Sequence, residues 1–355
     1  MSILHLLTRL TIAVTVLVTF SVTAPQTAKS AEFTFSVHHF LSARALTHTQ
    51  MIEPWAKRIE EASNGRIKFE IYPAMALGGK PPELYRQVRD GVVDIAWTLP
   101  GYTPGVFPRV EVFELSGVHG GSALATNMAS QSMMPMIADD FDDLHPLLVH
   151  VHSGNALHLA SKPVGSLADV KGMKIRSPSR TGAWMLEAWG AEPVGMPVPA
   201  LPQALAKQTV DGALVPFEVA MPLKLAELTE HGTELANGRR FGTSTFLFAM
   251  NKDAYESLPA DLQAIIDEHS GAEFAAAMGK AWDAVEPKGV ELARENGVEV
   301  ITLDDARTAE FDALNAAITK RWLDDMAARD LDGQALVDAA KAAIADHTAE
   351  PDQGH

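Results

Sequence analysis

An arginine at the end of a short apolar run carries the most specific chemistry in this chain. Lys174-Ile175-Arg176 reads as a strand entered after Gly172, and Ser177-Pro178 follows it. The residue before a proline is kept extended or in a turn, so Arg176 stands where a strand stops. Its planar fork can grip a carboxylate through two parallel hydrogen bonds. A charge-assisted bond is worth about 1.5–3 kcal/mol, a large share of the roughly 8 kcal/mol that micromolar binding requires. Spacing alone equally allows Arg176 to pair with a structural acid at the surface. Trp97 and Phe217 close two other strands at matching positions, and Phe40 and Tyr102 lie near such ends. Rings on both sides of a cleft can sandwich a flat ligand, although each ring taken singly also suits a core. His39 ends a strand beside His38, and His158 could donate to an anion or pack inside.

Other chemistries lack their residues. His150 and His152 share one strand face, but zinc needs three or four converging ligands. The chain has no Cys and no HExxH, so no metal site is expected, and no cofactor. GxGxxG after a strand, GxxxxGK[ST] and GxSxG are all missing. Ser153-Gly154-Asn155 makes no nucleophile elbow, and Asp139-Asp140 with Asp142-Asp143 reads as a solvated turn. Met133, Met134 and Met136 suit helix packing. An enzyme is therefore not expected. Among 355 residues, 29 basic and 45 acidic side chains leave a net charge of −16, which speaks against a nucleic-acid partner.

The elements that must position these residues come in two similar sets. Phe33, Phe35 and Val37 alternate as a strand, Ile52 to Ala62 has helical spacing, and Ile67, Phe69 and Ile71 alternate again. A helix opens at Pro82-Glu83 and closes near Gly91, and Val92 to Trp97 is a third strand. The same β-α-β-α-β order returns with Lys174–Arg176, a helix over about 180–189, an extended Glu192–Met196, a helix over 202–207 and a strand over 210–215. Two such units imply an α/β protein with two open, mostly parallel sheets flanked by helices. Ligands of open sheets bind beyond the carboxyl ends of strands, so the cleft between the sheets is the expected site. The tail is helical: one long helix from Pro259 past Val285, with Pro287 kinking or ending it, another reaching Asn296-Gly297, a strand over 298–301, and Ala-rich helices over about 306–329 and 333–347. A helix of ~25 residues is about 38 Å long and could lie across both sheets.

At the N-terminus, weakly basic Met1–Arg9 precedes an uncharged apolar run from Leu10 to Thr23, too short for the ~20 residues of a membrane span. Ala28-Lys29-Ser30 supplies small residues at a cleavage site. Residues 1–30 are therefore expected to be a secretory signal peptide.

Ser166-Leu-Ala-Asp-Val-Lys-Gly-Met-Lys-Ile-Arg176, Gly190-Ala-Glu-Pro-Val194, Met196-Pro197 and Val210-Asp211-Gly212 together resemble the solute-binding proteins of tripartite ATP-independent periplasmic (TRAP) transporters, the DctP-like family. Leu77-Gly78-Gly79, Asp90-Gly-Val-Val-Asp94 and Met250-Asn251-Lys252 extend the likeness over essentially the whole mature chain. The resemblance implies a two-lobed periplasmic-binding-protein fold whose cleft closes on its ligand, with a long helix spanning both lobes. It implies that Arg176 pairs with the carboxylate of an organic acid, and that the partners are TRAP membrane permease subunits. The expected lobes are 31–153 with 242–285, and 154–241 with 286–350; the protein is expected in the periplasm as a monomer.

Departures from the family narrow the ligand. The sialic-acid binders carry a further arginine upstream, where this chain reads Ala156-Leu157-His158. Val215-Pro216-Phe217 replaces a pattern with Asn before the proline, Phe40 stands where sugar-acid binders are polar, and Gln208 replaces a usual Gly. These changes favour a less polar ligand, an aromatic or 2-oxo monocarboxylate. Trp97, Phe217 and Phe40 would enclose its body, with Tyr102, His39 and His158 donating. The alternatives are a C4-dicarboxylate using His158 or Lys80 as second partner, and a secreted hydrolase or lyase on a two-lobed scaffold.

Overall fold

The computed structural model describes residues 31–349; the expected signal peptide lies outside them. In chain order the strands are β1 (Phe33–His39), β2 (Ile67–Tyr72), β3 (Ile95–Thr98), β4 (Leu144–Val151), β5 (Ala156–Leu159) and β6 (Lys174–Ser177). They are followed by β7 (Glu192–Gly195), β8 (Gly212–Val215), β9 (His231–Glu234), β10 (Thr245–Asn251) and β11 (Glu299–Thr302). They form two sheets, ordered β2-β1-β3-β10-β4 and β11-β9-β5-β8-β6-β7.

Each sheet has one strand that runs against its neighbours. β10 is antiparallel to both β3 and β4, and β5 is antiparallel to both β8 and β9. Each is the first strand the chain makes after passing from one sheet to the other. These two strands therefore start at the cleft, whereas the parallel strands end there. All seven residues of β10 are buried, as expected for a strand covered on both faces. Its partner β4 is an edge strand, where Pro146 is tolerated next to a register shift between Phe248 and Ala249.

The core of the first lobe gathers Val37, Trp55, Ile59, Ile95, Phe248 and Trp282. That of the second gathers Leu157, Leu159, Ile175, Leu186 and Leu214. No helix of the described residues is long and apolar enough to cross a membrane.

The long helix differs from its expected bounds. The segment after Pro259 forms Ala260–Glu268 and stops at His269, and Gly271 turns the chain with φ 74°. A 24-residue helix, Ala272–Glu295, then runs straight through Pro287. A proline inside a helix forfeits one backbone bond, and tertiary anchors on both sides of it hold this helix. The Asp283 carboxylate accepts from the N–H groups of Ala123 at 2.7 Å and Leu124 at 3.0 Å, at the start of helix Ala123–Ser132 in the first lobe. The Glu286 carboxylate accepts from the N–H groups of Phe217 and Glu218, both at 3.0 Å, in the second. Acids belong at helix N-termini, so one helix pins an element of each lobe. Glycines permit the close approach: a Cβ at Gly279 would collide with Leu124, and one at Gly289 would lie 2.8 Å from the Phe217 backbone.

The expected helix over 306–329 is two, Asp305–Asp312 and Asn315–Ala327. The last helix, Gly333–Ala349, packs mainly on Ala123–Ser132 of the first lobe and to a lesser extent on Asn315–Ala327. Its buried Leu336, Val337, Ala340 and Ile344 join the first core.

Candidate functional site

Between the lobes lies a small cavity lined by residues of both. Arg176, at the end of β6, forms part of its wall and is 2% exposed. Its Nε donates to the Met196 carbonyl at 3.0 Å and its Nη1 to the Leu214 carbonyl at 2.9 Å. Its Nη2 reaches the Tyr102 hydroxyl at 3.4 Å. No carboxylate pairs with it among the described residues. Burial lowers its pKa, with the Tyr102 oxygen opposing, yet a guanidinium stays charged in proteins. The alternative that Arg176 serves a surface ion pair is thus excluded by its surroundings. Two backbone carbonyls orient the fork, and its net positive charge faces the cavity.

Tyr102 comes from the opposite lobe. Its hydroxyl accepts from the Val198 N–H at 2.9 Å, which leaves the phenolic proton free to donate. Burial raises its pKa, so that proton stays on.

The apolar walls are a run of rings. Trp97 stacks on Phe246 at 4.8 Å and 6° and on Phe40 at 4.6 Å and 26°. Its indole N–H donates to His150 Nε2 at 2.9 Å, which fixes the ring plane. Trp282 of the long helix, Leu99, Val198, Val215 and Val219 complete the lining. Offset stacks of this kind add about 0.5–1.5 kcal/mol beyond area, and they present a flat face.

Polar groups enter at defined points. His152, just after β4, accepts from the Gly154 N–H at 2.9 Å through Nδ1. That bond assigns the proton to Nε2, and burial drives the pKa well below the ordinary histidine value, so His152 is a neutral donor. Asn155 precedes β5 and Ser244 precedes β10, and both line the cavity. These positions are the amino ends of the two reversed strands. A search of carboxyl ends alone passes over them. Glu218, the only acid in the lining, is 9% exposed, and burial followed by repulsion from Glu286 raises its pKa to about 8.

Of the residues singled out in the sequence, Arg176, Trp97, Phe40 and Tyr102 meet in this cavity; Phe217, His39 and His158 do not. Phe217 opens the short helix Phe217–Ala220, where successive side chains point about 100° apart. Glu218 consequently takes the cavity side. Phe217 turns outward, 4.6 Å from the His158 ring and beneath the Arg240 guanidinium. His158 lines the same outer groove as Phe217, and its pKa falls to about 4 through burial and then Arg240. His39 faces the interior, where its Nε2 meets His48 Nδ1 at 2.9 Å; burial and then that neighbour lower its pKa to about 3. Phe246, Trp282, His152, Asn155, Ser244 and Glu218 were not found from the sequence.

Two mixed α/β lobes, bridged by a helix and closed around a cation-bearing aromatic cavity, define a solute-binding protein for a small organic anion. Residues 37–325 match the family described as bacterial extracellular solute-binding protein, family 7 (DctP). The chain belongs to that family, the solute receptors of TRAP transport systems. It is a family of transport proteins that bind small organic acids outside the cytoplasm and work with a membrane permease. It is 42% identical to a TRAP solute-binding protein from a marine metagenome, specific for aromatic acid ligands and solved with 3-hydroxybenzoate. That match covers 90% of this chain and 99% of that one, with a TM-score of 0.87. A TRAP solute-binding protein from Rhodoferax ferrireducens T118, solved with copurified benzoate, is 40% identical over 89% of this chain and 98% of that one, with a TM-score of 0.86. The protein named outer membrane transporter protein TsaT of Comamonas testosteroni is 25% identical over 325 residues, covering 90% of this chain and 94% of that one.

Proposed function

We propose that this protein captures an aromatic monocarboxylate in the periplasm and delivers it to a TRAP permease. The observation that carries the reading is Arg176, a buried guanidinium with no acid partner, set among stacked rings. A buried charge without a counter-ion is costly, and a ligand carboxylate would supply that counter-ion. Tyr102 and His152 would donate the remaining hydrogen bonds, while Phe40, Trp97, Phe246 and Trp282 would enclose the ring. The two relatives at 40% and 42% identity, with benzoate and 3-hydroxybenzoate, support the aromatic class. A C4-dicarboxylate fits less well, because the cavity lining offers no second cation and one acid.

Residues 1–30 would direct export. The chain would pass between lobes at 153–154, at 241–242 and within the long helix near 285–286, the points where the reversed strands and the two helix anchors lie, and would return to the first lobe before Gly333–Ala349. Closure then follows from differential affinity of the ligand for the closed arrangement.

The test is a calorimetric panel of benzoate, hydroxybenzoates, 2-oxo acids and C4-dicarboxylates, repeated with Arg176→Ala. We expect aromatic acids to bind tightest, and the variant to lose at least about tenfold in affinity, the worth of one charge-assisted bond. Unchanged affinity in the folded variant would refute the role of Arg176.

A further inference from the structure

We propose that Glu218 is a second recognition point in this cavity: its carboxyl exchanges hydrogen bonds with a polar ring substituent and so selects hydroxylated aromatic monocarboxylates over unsubstituted ones. The inference rests on the aromatic-acid reading above and deepens it.

An acid in a cavity built for an anion needs a physical reason. Glu218 does not neutralise Arg176; no ion pair joins them among the described residues. Two outer grooves border the cavity. One shares Tyr102 and Pro178 with it and includes Met196, whose carbonyl holds the Arg176 fork. The other shares Glu218 and runs past Arg44, Gln50 and Lys224. The two grooves have no residue in common, and Arg176 and Glu218 are separate polar groups of the one cavity wall. A ligand with a carboxylate on the first group can place a ring substituent on the second.

The charge distribution around Glu218 makes it a donor. Its neighbour Glu286 receives three hydrogen bonds: from the Phe217 N–H at 3.0 Å, the Glu218 N–H at 3.0 Å and Arg240 Nε at 3.1 Å. Glu218 receives one, from Trp282 Nε1 to its Oε1 at 3.2 Å. Its Oε2 takes none among the described residues. The pair therefore keeps its negative charge on Glu286 and its proton on Glu218, where burial and the Glu286 charge hold the pKa near 8. A neutral carboxyl does not repel an anionic guest. It can donate from Oε2 to a ring hydroxyl and accept from it. The charged groups around it are Glu286 and Arg240 on the helix side, Arg176 in the cavity wall, and Arg44 and Lys224 in the outer groove. His152, also in the cavity wall, is neutral above the acid range. Glu218 is therefore the group of this wall that titrates near pH 8.

The experiment measures dissociation constants of the purified protein, of Glu218→Gln and of Glu218→Leu for benzoate and 3-hydroxybenzoate. The unaltered protein is expected to prefer 3-hydroxybenzoate by about fivefold to tenfold, the yield of one added neutral hydrogen bond or slightly more. Glu218→Gln should retain most of that preference, and Glu218→Leu should reduce the ratio to about one. In the unaltered protein, benzoate affinity should fall above about pH 8 as Glu218 ionises, and Glu218→Gln should be flat across the same range. Two results each overturn the proposal alone: an unchanged ratio in a Glu218→Leu protein that still binds benzoate, or the same alkaline fall in Glu218→Gln. Failure of the unaltered protein to bind either acid overturns the aromatic-acid reading and this inference with it.

Discussion

Two buried arginines flank the same cleft and have opposite surroundings. Arg240 is held by two acids, with Nη1 on Glu234 at 2.5 Å and Nε on Glu286 at 3.1 Å, and by the Gly238 carbonyl at 2.7 Å. Arg176 meets only backbone carbonyls and a phenol. Arg240 ties β9 and its following turn to the long helix, and through Glu286 to the start of Phe217–Ala220. Its charge is used inside the fold. The charge of Arg176 is oriented but not cancelled. The difference teaches that burial does not mark a binding arginine; burial without an acid does. Arg180, four residues after Arg176, makes the same point, since Glu111 and Asp325 both hold it.

The largest expected effect comes from removing the neutralised arginine. Arg240→Met would strand Glu234 and Glu286 as buried, unpaired acids and should cost about 3–5 kcal/mol, read as a lower midpoint in chemical denaturation. Arg176→Met should act the other way. It deletes a buried charge with no counter-ion, so the same midpoint should hold or rise while benzoate affinity collapses. A midpoint falling as far as that of Arg240→Met would break the comparison.

The smallest effect concerns pH. Burial lowers His150 to about 3, and burial followed by Arg240 lowers His158 to about 4. The unfolded chain protonates both near 6.5. Between those values the unfolded state binds more protons, so their contribution to stability is present above about pH 6.5 and is lost as pH falls through 4 toward 3. Melting temperature should therefore drop on acidification through this window. His158→Leu should shallow that slope; an identical slope would exclude His158 as a source.

The β-α-β-α-β units, the carboxyl-end position of Arg176 and the placing of Trp97 and Phe40 at or near strand ends were legible in the sequence, because alternation and helical spacing report burial directly. The role of Phe217 was not. A strand end that flows into a helix rotates each next side chain by about 100°, and one residue of phase exchanges Phe217 for Glu218. Asn155 and Ser244 escaped because β5 and β10 are reversed, and strand direction is set by pairing partners remote in the chain. The helix through Pro287 escaped for a similar reason, since its anchors, Asp283 and Glu286, act on backbone far away in sequence.

By itself the sequence determined the class of fold, the family and the identity of the cation, since local periodicity and a strand-end arginine are properties of neighbouring residues. Only the tertiary structure decided which acids reach which arginines. An ion pair depends on distance in space and on the loss of water around it, and neither quantity is written into the order of the chain.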